Sequence, residues 1–374
     1  MNPGFHARSP QKSFRTTFVC CFLAGASILF TNSAGAQAQL AAPSSGLINP
    51  RAIVYSPATR KIYAVDINHN AVDIYSANAD RPHRVAVGTS PVSLAVNTAT
   101  GRVYVANAGD GSVSVLDPDS DAVVATLPVG LHPYSIAADP ATGNVFVTHT
   151  FGDQISLIDG ATNTVTQLHT GSADLIAVNS RTGTIYLLGY GGAVTVLDEA
   201  SRKFTRRAVG KHAWALTLDE TSGAVYVTRI EDADLAAIKG SSSEPAILPA
   251  GAIPCAIAVD SKTNTLYVAN YGDKSVTAVN AGTGKVIATL AVGERPKAIA
   301  FDPVLSLIYV ANAGSNTVTA IDAATNTILA TLPVGESPYA LAVVPGSRRL
   351  YVANVSDDRS STVVDLSGLP ARKP

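Results

Sequence analysis

A chain of 374 residues with 15% charged and 47% hydrophobic residues, 29 Gly and 21 Pro is too apolar for a disordered segment and suits many short buried strands joined by tight turns. Its formal net charge of −1 falls to −4 once Arg8, Lys12 and Arg15 leave with the leader described next. That balance excludes the broad basic field on which nucleic-acid binding rests.

The first 38 residues read as a Sec-type signal peptide. A basic start is followed by an apolar run from Phe18 to Phe30, and then by Ala34-Gly35-Ala36 and Ala36-Gln37-Ala38, two small-x-small cleavage patterns. Cleavage after Ala36 or Ala38 is expected, which places the mature domain in the periplasm or outside the cell. The competing reading, an uncleaved anchor, is weakened by an apolar run short of the roughly 20 residues a span requires. Cys20 and Cys21 open that run instead of closing it before a cleavage site, which argues against lipid attachment. Cleavage leaves Cys255 as the sole cysteine and so no intramolecular disulfide.

Residues 39–374 read as one domain of eight repeats. Tyr63, Tyr104, Phe146, Tyr186, Tyr226, Tyr267, Tyr309 and Tyr351 recur at spacings of 41, 42, 40, 40, 41, 42 and 42. Each repeat resolves into four strands, clearest between Pro296 and Gly335: A at Lys297–Phe301, B at Leu307–Asn312, C at Thr317–Asp322, D at Thr327–Val334. Turn chemistry separates them. Asp139-Pro140-Ala141-Thr142-Gly143 suits a type I turn with a left-handed glycine between A and B. Gly109-Asp110-Gly111 and Gly272-Asp273-Lys274 mark B-to-C hairpins, and Asp322 and Thr325 can bond turn amides between C and D. Pro128, Pro249 and Pro333 fall within strand D, which is tolerated only at a sheet edge, so D is outermost. Strand A is then innermost, where small residues such as Ala256, Ala258, Ala298 and Ala300 suit a crowded centre. Sheets of this kind repeated radially define an all-β propeller of eight four-stranded blades, with seven blades the alternative. A β-solenoid is the runner-up, though its coils are usually shorter.

Tyr104-Val105-Ala106-Asn107, its identical counterparts at 267–270, 309–312 and 351–354, and the Val-Gly pairs at 129–130, 292–293 and 334–335 resemble the YVTN-repeat β-propeller proteins. The resemblance implies an exported or surface-exposed propeller. It implies little chemistry, because such repeats occur in binding modules, lactonase-like enzymes and cofactor-bearing redox proteins. Many members of that family have seven blades, whereas eight copies are counted here. The eighth copy lacks strand D, and the mature N-terminus around Gln39–Leu47 is expected to supply it, although that segment is a poor strand former.

Two positions abandon the repeat on the face that carries the D-to-A and B-to-C loops, the top face. The slot after the Pro that opens strand A reads Arg51, Val92, Tyr134, Asp174, Trp214, Cys255, Lys297 and Tyr339. The slot that ends strand B reads Asp66, Asn107, His149, Gly189, Arg229, Asn270, Asn312 and Asn354, with Asn as consensus and an Asx turn as its structural role. His132, His212 and Tyr190 fall on the same face, giving an aromatic and histidine-rich arc over blades 3 to 5. Two readings stand: drift at exposed loop tips, or a ligand mouth formed by Arg51, His132, Tyr134, His149, Asp174, Tyr190, His212, Trp214, Arg229, Lys297 and Tyr339.

Weaker candidates have simpler explanations. His132, His149 and His212 lack local metal-ligand spacing. Asp117, Asp119 and Asp121 lack the glycine and distal Glu of a calcium loop. Cys255 suits a small buried side chain, and Arg202, Lys203, Arg206 and Arg207 suit an edge strand that resists pairing. Hydrolase, haem and dinucleotide motifs are absent, and Gly284-Lys285 is followed by Val286 where a phosphate loop needs Ser or Thr. The sequence favours a non-enzymatic monomer that binds a protein or small ligand through its top face, with no cofactor, metal, nucleic acid or membrane span after cleavage. The alternative is a lactonase-like hydrolase or a lyase with its active site in the same mouth, for which only Asp66 and Asp174 supply slot carboxylates; a redox subunit is a third reading. N-terminal sequencing of the protein from the cell envelope should begin at Gln37 or Gln39, and recovery of Met1 would refute the leader.

Overall fold

The turns cut each repeat into strands of four to seven residues, and the computed structural model assembles them into eight antiparallel sheets. It describes residues 52–76, 81–189, 191–239, 244–355 and 361–369. The signal peptide, Gln39–Leu47, Arg51 and Tyr190 lie outside the described residues. Blades follow chain order: residues 53–86, 91–128, 133–168, 175–208, 213–249, 254–291, 296–333 and 338–365. Seven sheets run A-B-C-D, and the eighth has three described strands, Pro338–Val343, Arg349–Asn354 and Ser361–Asp365. In blade 7 the observed strands are Pro296–Asp302, Leu307–Asn312, Thr317–Asp322 and Thr327–Pro333, close to the sequence expectation.

The turns form for the reasons read from sequence. Asp139 Oδ1 accepts from Ala141 N at 2.8 Å while Gly143, at φ +80°, donates back to Asp139 O. Asp322 Oδ1 accepts from Ala324 N at 2.8 Å and Thr325 N at 3.2 Å.

Strand A of each blade touches strand A of the next, and blade 8 returns to blade 1, so the sheets close into a ring with A innermost. The B-strand aromatics fill the seams between blades: Tyr63, Tyr104, Phe146, Tyr226, Tyr267, Tyr309 and Tyr351 are all at most 1% exposed. Tyr267 reaches the C-to-D turn of blade 7, donating to Ala323 O at 2.8 Å. Basic side chains cross other seams at the same level. Lys61 Nζ meets Asp121 at 2.8 Å, Arg102 donates to Gly160 O at 2.8 Å, and Lys239 to Ala281 O at 2.7 Å. At the closing seam the Tyr75 and Tyr351 rings meet edge-on, 5.5 Å apart, and the Tyr75 hydroxyl hydrogen-bonds Ser361 Oγ.

The Asn that ends strand B has a different role from the Asx turn expected of it. Its Nδ2 donates across to two hydroxyls of strand C: Asn107 to Ser112 and Ser114, Asn270 to Ser275 and Thr277, Asn312 to Thr317 and Thr319. The Gly that follows strand D, preceded by Val in blades 2, 7 and 8 and by Ala250 in blade 6, lies flat over this amide. A Cβ on Gly88, Gly251, Gly293 or Gly335 would come within 2.5, 2.6, 2.7 and 2.6 Å of the Asn side chain. The two consensus residues are thus one contact seen from both sides. Removing the amide by Asn312→Ala takes a donor from Thr317 and Thr319, which keep Ser315 and Thr331 as partners, so chemical denaturation should show a loss of about 1 kcal/mol. Gly335→Ala should also destabilise, by less in an Asn354→Ala background, where the amide that the added methyl meets at 2.6 Å is gone.

Candidate top-face mouth

The first slot is a β-bulge. In blades 2, 6, 7 and 8 the opening Pro and the residue two places on pair with adjacent residues of strand B, leaving Val92, Cys255, Lys297 and Tyr339 unpaired. Blades 3 and 5 shift register at the same level, beside Tyr134 and Trp214. A bulge re-aims its side chain, and here the side chain is turned toward the next blade: Cys255 Sγ lies 3.1 Å from Pro296 O of blade 7. Most of these residues are therefore seam packing. Val92, Tyr134, Cys255 and Tyr339 are 5–7% exposed. Burial also pushes the Cys255 thiol up to about 12, which leaves it unreactive. Asp174, Trp214 and Lys297 are the slot residues among those described that keep partial exposure.

The second slot belongs to a polar ladder under the top loops, and each blade that loses the Asn replaces it. In blade 3, His149 is 4% exposed; its Nε2 is 2.8 Å from Ser156 Oγ, which also lies 2.8 Å from Val129 O and 3.0 Å from Gln167 Oε1. In blade 1, Arg84 of strand D bridges Asp66 and Asp73, both buried, while His69 Nδ1 sits 2.7 Å from Asp66. In blade 5, Arg229 forks onto Asp234 and reaches Asp232 at 3.1 Å. In blade 4, where Gly189 has no side chain, Arg206 comes inward from strand D to donate to Thr170 O at 2.9 Å beneath Gly171. Arg206 is thus not the purely outward edge charge expected. These exchanges had a sequence signal, since the B-end residue and the facing strand-D residue change together, to Arg84, Gln167, Arg206 and Ile247 where blades 2, 6 and 7 have Thr.

His149 also remakes the loop above it. In blades 2, 6 and 7 two backbone bonds join the B-to-C loop to the D-to-A loop, as Ala108 N to Ser90 O and Gly109 N to Thr89 O. In blade 3 the first survives as Thr150 N to His132 O, but Leu131 O lies 3.0 Å from His149 Nδ1. Phe151 then turns outward at φ +61° and 90% exposed, beside Leu131 at 79%. His132 and His212 occupy the left-handed position that precedes strand A, where Ser90, Ile253, Arg295 and Ser337 stand in other blades. Both are exposed, and His212 Nδ1 is 2.7 Å from Glu231. Tyr134 packs into the cluster of blades 3 to 5, whereas Trp214 lies against the cluster containing Cys255.

The opposite face carries buried acids that the sequence reading passed over. Glu199 of blade 4 accepts at 2.7 Å from both Thr142 and Asn144 of blade 3, and burial followed by the neighbouring Asp139 pushes its carboxyl up. Glu220, 6% exposed, is pushed up to about 7, chiefly by burial and then by Asp139. Asp117, of the candidate calcium loop, accepts from Asp119 N, Ser120 N and Ser120 Oγ, and Asp121 is held by Lys61. Among the described residues no three His, Cys, Asp or Glu side chains converge to hold a metal, and no helix is long and apolar enough to cross a membrane.

These observations define an eight-bladed β-propeller. The family model described as "Lactonase, 7-bladed beta-propeller" matches residues 24–331, and the chain belongs to that family. The match ends within strand D of blade 7, so the seven repeats it covers leave blade 8 beyond it. No curated protein matches the chain in sequence. Among solved structures, Kuenenia stuttgartiensis hydrazine synthase is similar with a TM-score of 0.58 at 20% identity, over 86% of this chain and 97% of that one, a likeness of fold alone.

Two buried groups give opposite pH effects. Burial lowers the His149 pKa, so below about 6.5 the unfolded chain takes up a proton that the native site resists, and stability falls with acidification. Glu220 holds its proton to about 7, so the unfolded chain loses one first and stability falls as pH rises from about 4.5 to 7. His149→Asn, which restores the consensus donor, should flatten the acid side of the stability curve. Glu220→Gln should raise stability at pH 8 by up to about 3 kcal/mol. Denaturation midpoints between pH 4.5 and 8 check both.

Proposed function

We propose that this chain is an exported propeller that binds a small ligand or a partner protein through its top face, with Trp214 as the central contact. One observation carries the reading. The bulge that buries Val92, Tyr134, Cys255 and Tyr339 in the seams leaves Trp214 only partly buried at the mouth. Asp174 and Lys297, at the same level, supply a carboxylate and an ammonium, and His132 and His212 stand on the rim above. An indole with polar groups around a concave opening suits ligand recognition. The compensated ladder takes His149 and Arg229 toward structural roles and leaves the rim and bulge as the contact surface. The Tyr-Val-Ala-Asn repeats and the leader support an extracytoplasmic setting of the YVTN-repeat kind.

A second reading, a lactonase-like hydrolase, is supported by the family match. Its weakness is the acid count, because the two slots supply only Asp66 and Asp174, and Asp66 is held by Arg84 and His69.

Trp214 is the only tryptophan in the chain, so its emission reports on this mouth alone. Envelope sugars, peptides, small acids and lactones titrated into the mature protein should include one class that shifts emission saturably. Trp214→Ala should weaken that class by about 1–3 kcal/mol without unfolding the ring. A stability loss of roughly 3–5 kcal/mol in the variant, with no compound altering wild-type emission, would make Trp214 seam packing. Acid release from lactones in a pH-stat, abolished by Asp174→Asn, would favour the hydrolase.

A further inference from the structure

On the face opposite the mouth, the A-to-B and C-to-D turns repeat a shared pattern, and three acids of blades 3 to 5 go beyond what that pattern needs. Glu199 follows the Asp that opens the C-to-D turn of blade 4, a place held by Pro118, Gly160, Ala281, Ala323 and Leu366 in other blades. Its amide makes the bond proper to that place, to Gly183 O, as Ala281 N does to Asn264 O and Ala323 N to Ser306 O. Ala281, Ala323 and Leu366 are buried there, so blade 4 sets a carboxyl where its counterparts pack an apolar side chain. Glu220 likewise stands where Pro140, Ser180, Ser261 and Pro303 stand elsewhere. Asp139 opens the A-to-B turn of blade 3, yet Asn97 and Asn179 accept the same turn bond, from Ala99 N and Arg181 N, that Asp139 accepts from Ala141 N. The turn requires one oxygen and no charge.

The second oxygens of these carboxyls meet across the seam. Asp139 is 0% exposed and Glu199 4%. Glu199 Oε1 accepts from Thr142 Oγ1 and Asn144 Nδ2 of blade 3, both at 2.7 Å, and Asp139 Oδ1 accepts from Ala141 N. Asp139 Oδ2 and Glu199 Oε2 are buried with no donor from the described residues, and the two carboxyls lie within hydrogen-bonding reach of one another. The groups around them supply no counter-charge. Arg181 of blade 4 faces Glu220, but its guanidinium donates to the backbone oxygens Glu220 O and Thr221 O. Asp219, beside Glu220, is taken up by the Ser222 and Ser261 hydroxyls, and Asp198, beside Glu199, by Ser201 N. Among the described residues no ion pair reaches Asp139, Glu199 or Glu220. Two ionised carboxylates facing each other in a dry seam repel and stay unbonded, whereas one proton between them supplies the missing donor and removes a charge.

We propose that Asp139 and Glu199 share a proton across the seam of blades 3 and 4 and, with Glu220 beside them, form a pH-sensitive joint that is closed while the pair is singly protonated and loosens as the pH rises. Burial, ahead of Asp139, holds the Glu199 carboxyl above the usual range, and Glu220 is pushed up to about 7 by burial and then by Asp139. The unfolded chain ionises both near pH 4.5, so the stability these groups contribute is present in acid and falls as the pH climbs through the raised native values.

Hydrogen–deuterium exchange, corrected for the intrinsic pH dependence of amide exchange, tests the pair in a Glu220→Gln background that silences the third acid. Protection of residues 139–144 and 198–203 should fall by on the order of tenfold between about pH 6 and about pH 9, while residues 97–102, the Asn-based turn of blade 2, keep theirs. Glu199→Gln sets a permanent N–H against Asp139 Oδ2 and keeps an acceptor for Thr142 and Asn144, so it should abolish the fall; Asp139→Asn should do the same from the other side of the seam. The infrared spectrum at neutral pH should carry the carbonyl stretch of a protonated carboxyl that either substitution removes. A flat profile in the Glu220→Gln protein, or an unchanged fall after Glu199→Gln or Asp139→Asn, would overturn the proposal. So would protection at high pH restored by millimolar calcium or magnesium, which would set a cation between the carboxyls in place of the proton.

Discussion

The seam between neighbouring blades is the contact on which the rest of this structure depends. A four-stranded sheet with apolar residues on both faces cannot stand in water alone, and the ring solves this by pressing each face against the next sheet. The B-strand aromatics are the wedges. Each is large enough to span the outward-widening gap, while the alanines of strand A, such as Ala298 and Ala300, let the sheets converge at the centre. Tyr267 shows both duties in one side chain, with its ring in the seam and its hydroxyl on Ala323 of the next blade. Seam identity and blade identity are therefore set by the same residue, which is why its recurrence is the strongest periodic signal in the chain.

Under the top loops a second constraint operates. Each D-to-A connection passes over the end of strand B with almost no clearance, so the blade needs a small residue above and a donor below. Where both are present they are Gly and Asn. The variant blades show that the requirement is for hydrogen bonding at that point and not for asparagine as such. An imidazole in blade 3, a forked Arg229 in blade 5, and guanidinium groups from strand D in blades 1 and 4 all answer it. His149 answers it with a side effect: by taking Leu131 O it releases Phe151 from the usual loop pairing, and an aromatic ring is left exposed. Packing below the loop thus decides what the surface above it presents.

Much of the architecture was legible in the sequence because its causes are local. Strand limits in blade 7, the Asp139 and Asp322 turns, and the outer position of the proline-bearing strand follow from residues within one repeat. The candidate site was less legible because it depends on neighbours in other strands. Tyr134 and Tyr339 look like mouth residues when read along strand A, yet the bulge turns them into the seams. His149 and Arg229 look like departures when read along strand B, yet each is balanced by partners in the same blade, Ser156 with Gln167 and Asp234 with Asp232. Trp214, Asp174 and Lys297 keep partial exposure, and no single-strand pattern distinguishes them from their buried counterparts. The buried acids Glu199 and Glu220 escaped notice because turn carboxylates are usually solvated, and only the approach of two blades removes their water.

The number of blades bears on the mouth itself. The family's name gives seven blades, whereas this ring has eight, and the last repeat keeps the same Tyr-Val-Ala-Asn core as blades 2, 6 and 7. In a closed ring each blade senses only its two neighbours, so an added repeat is accommodated by a slightly smaller wedge angle at every seam and a wider circle of A strands at the centre. Widening loosens the inner ends of the seams most, at the level where the bulges lie. Large or polarisable side chains there, Tyr134, Trp214, Cys255 and Tyr339, fill the space that small residues would leave. The one aromatic among them that is not wholly taken into a seam is Trp214. Its partial exposure is then a matter of ring size as much as of local sequence, because the wedge angle at that seam sets how much of the indole the next blade can cover.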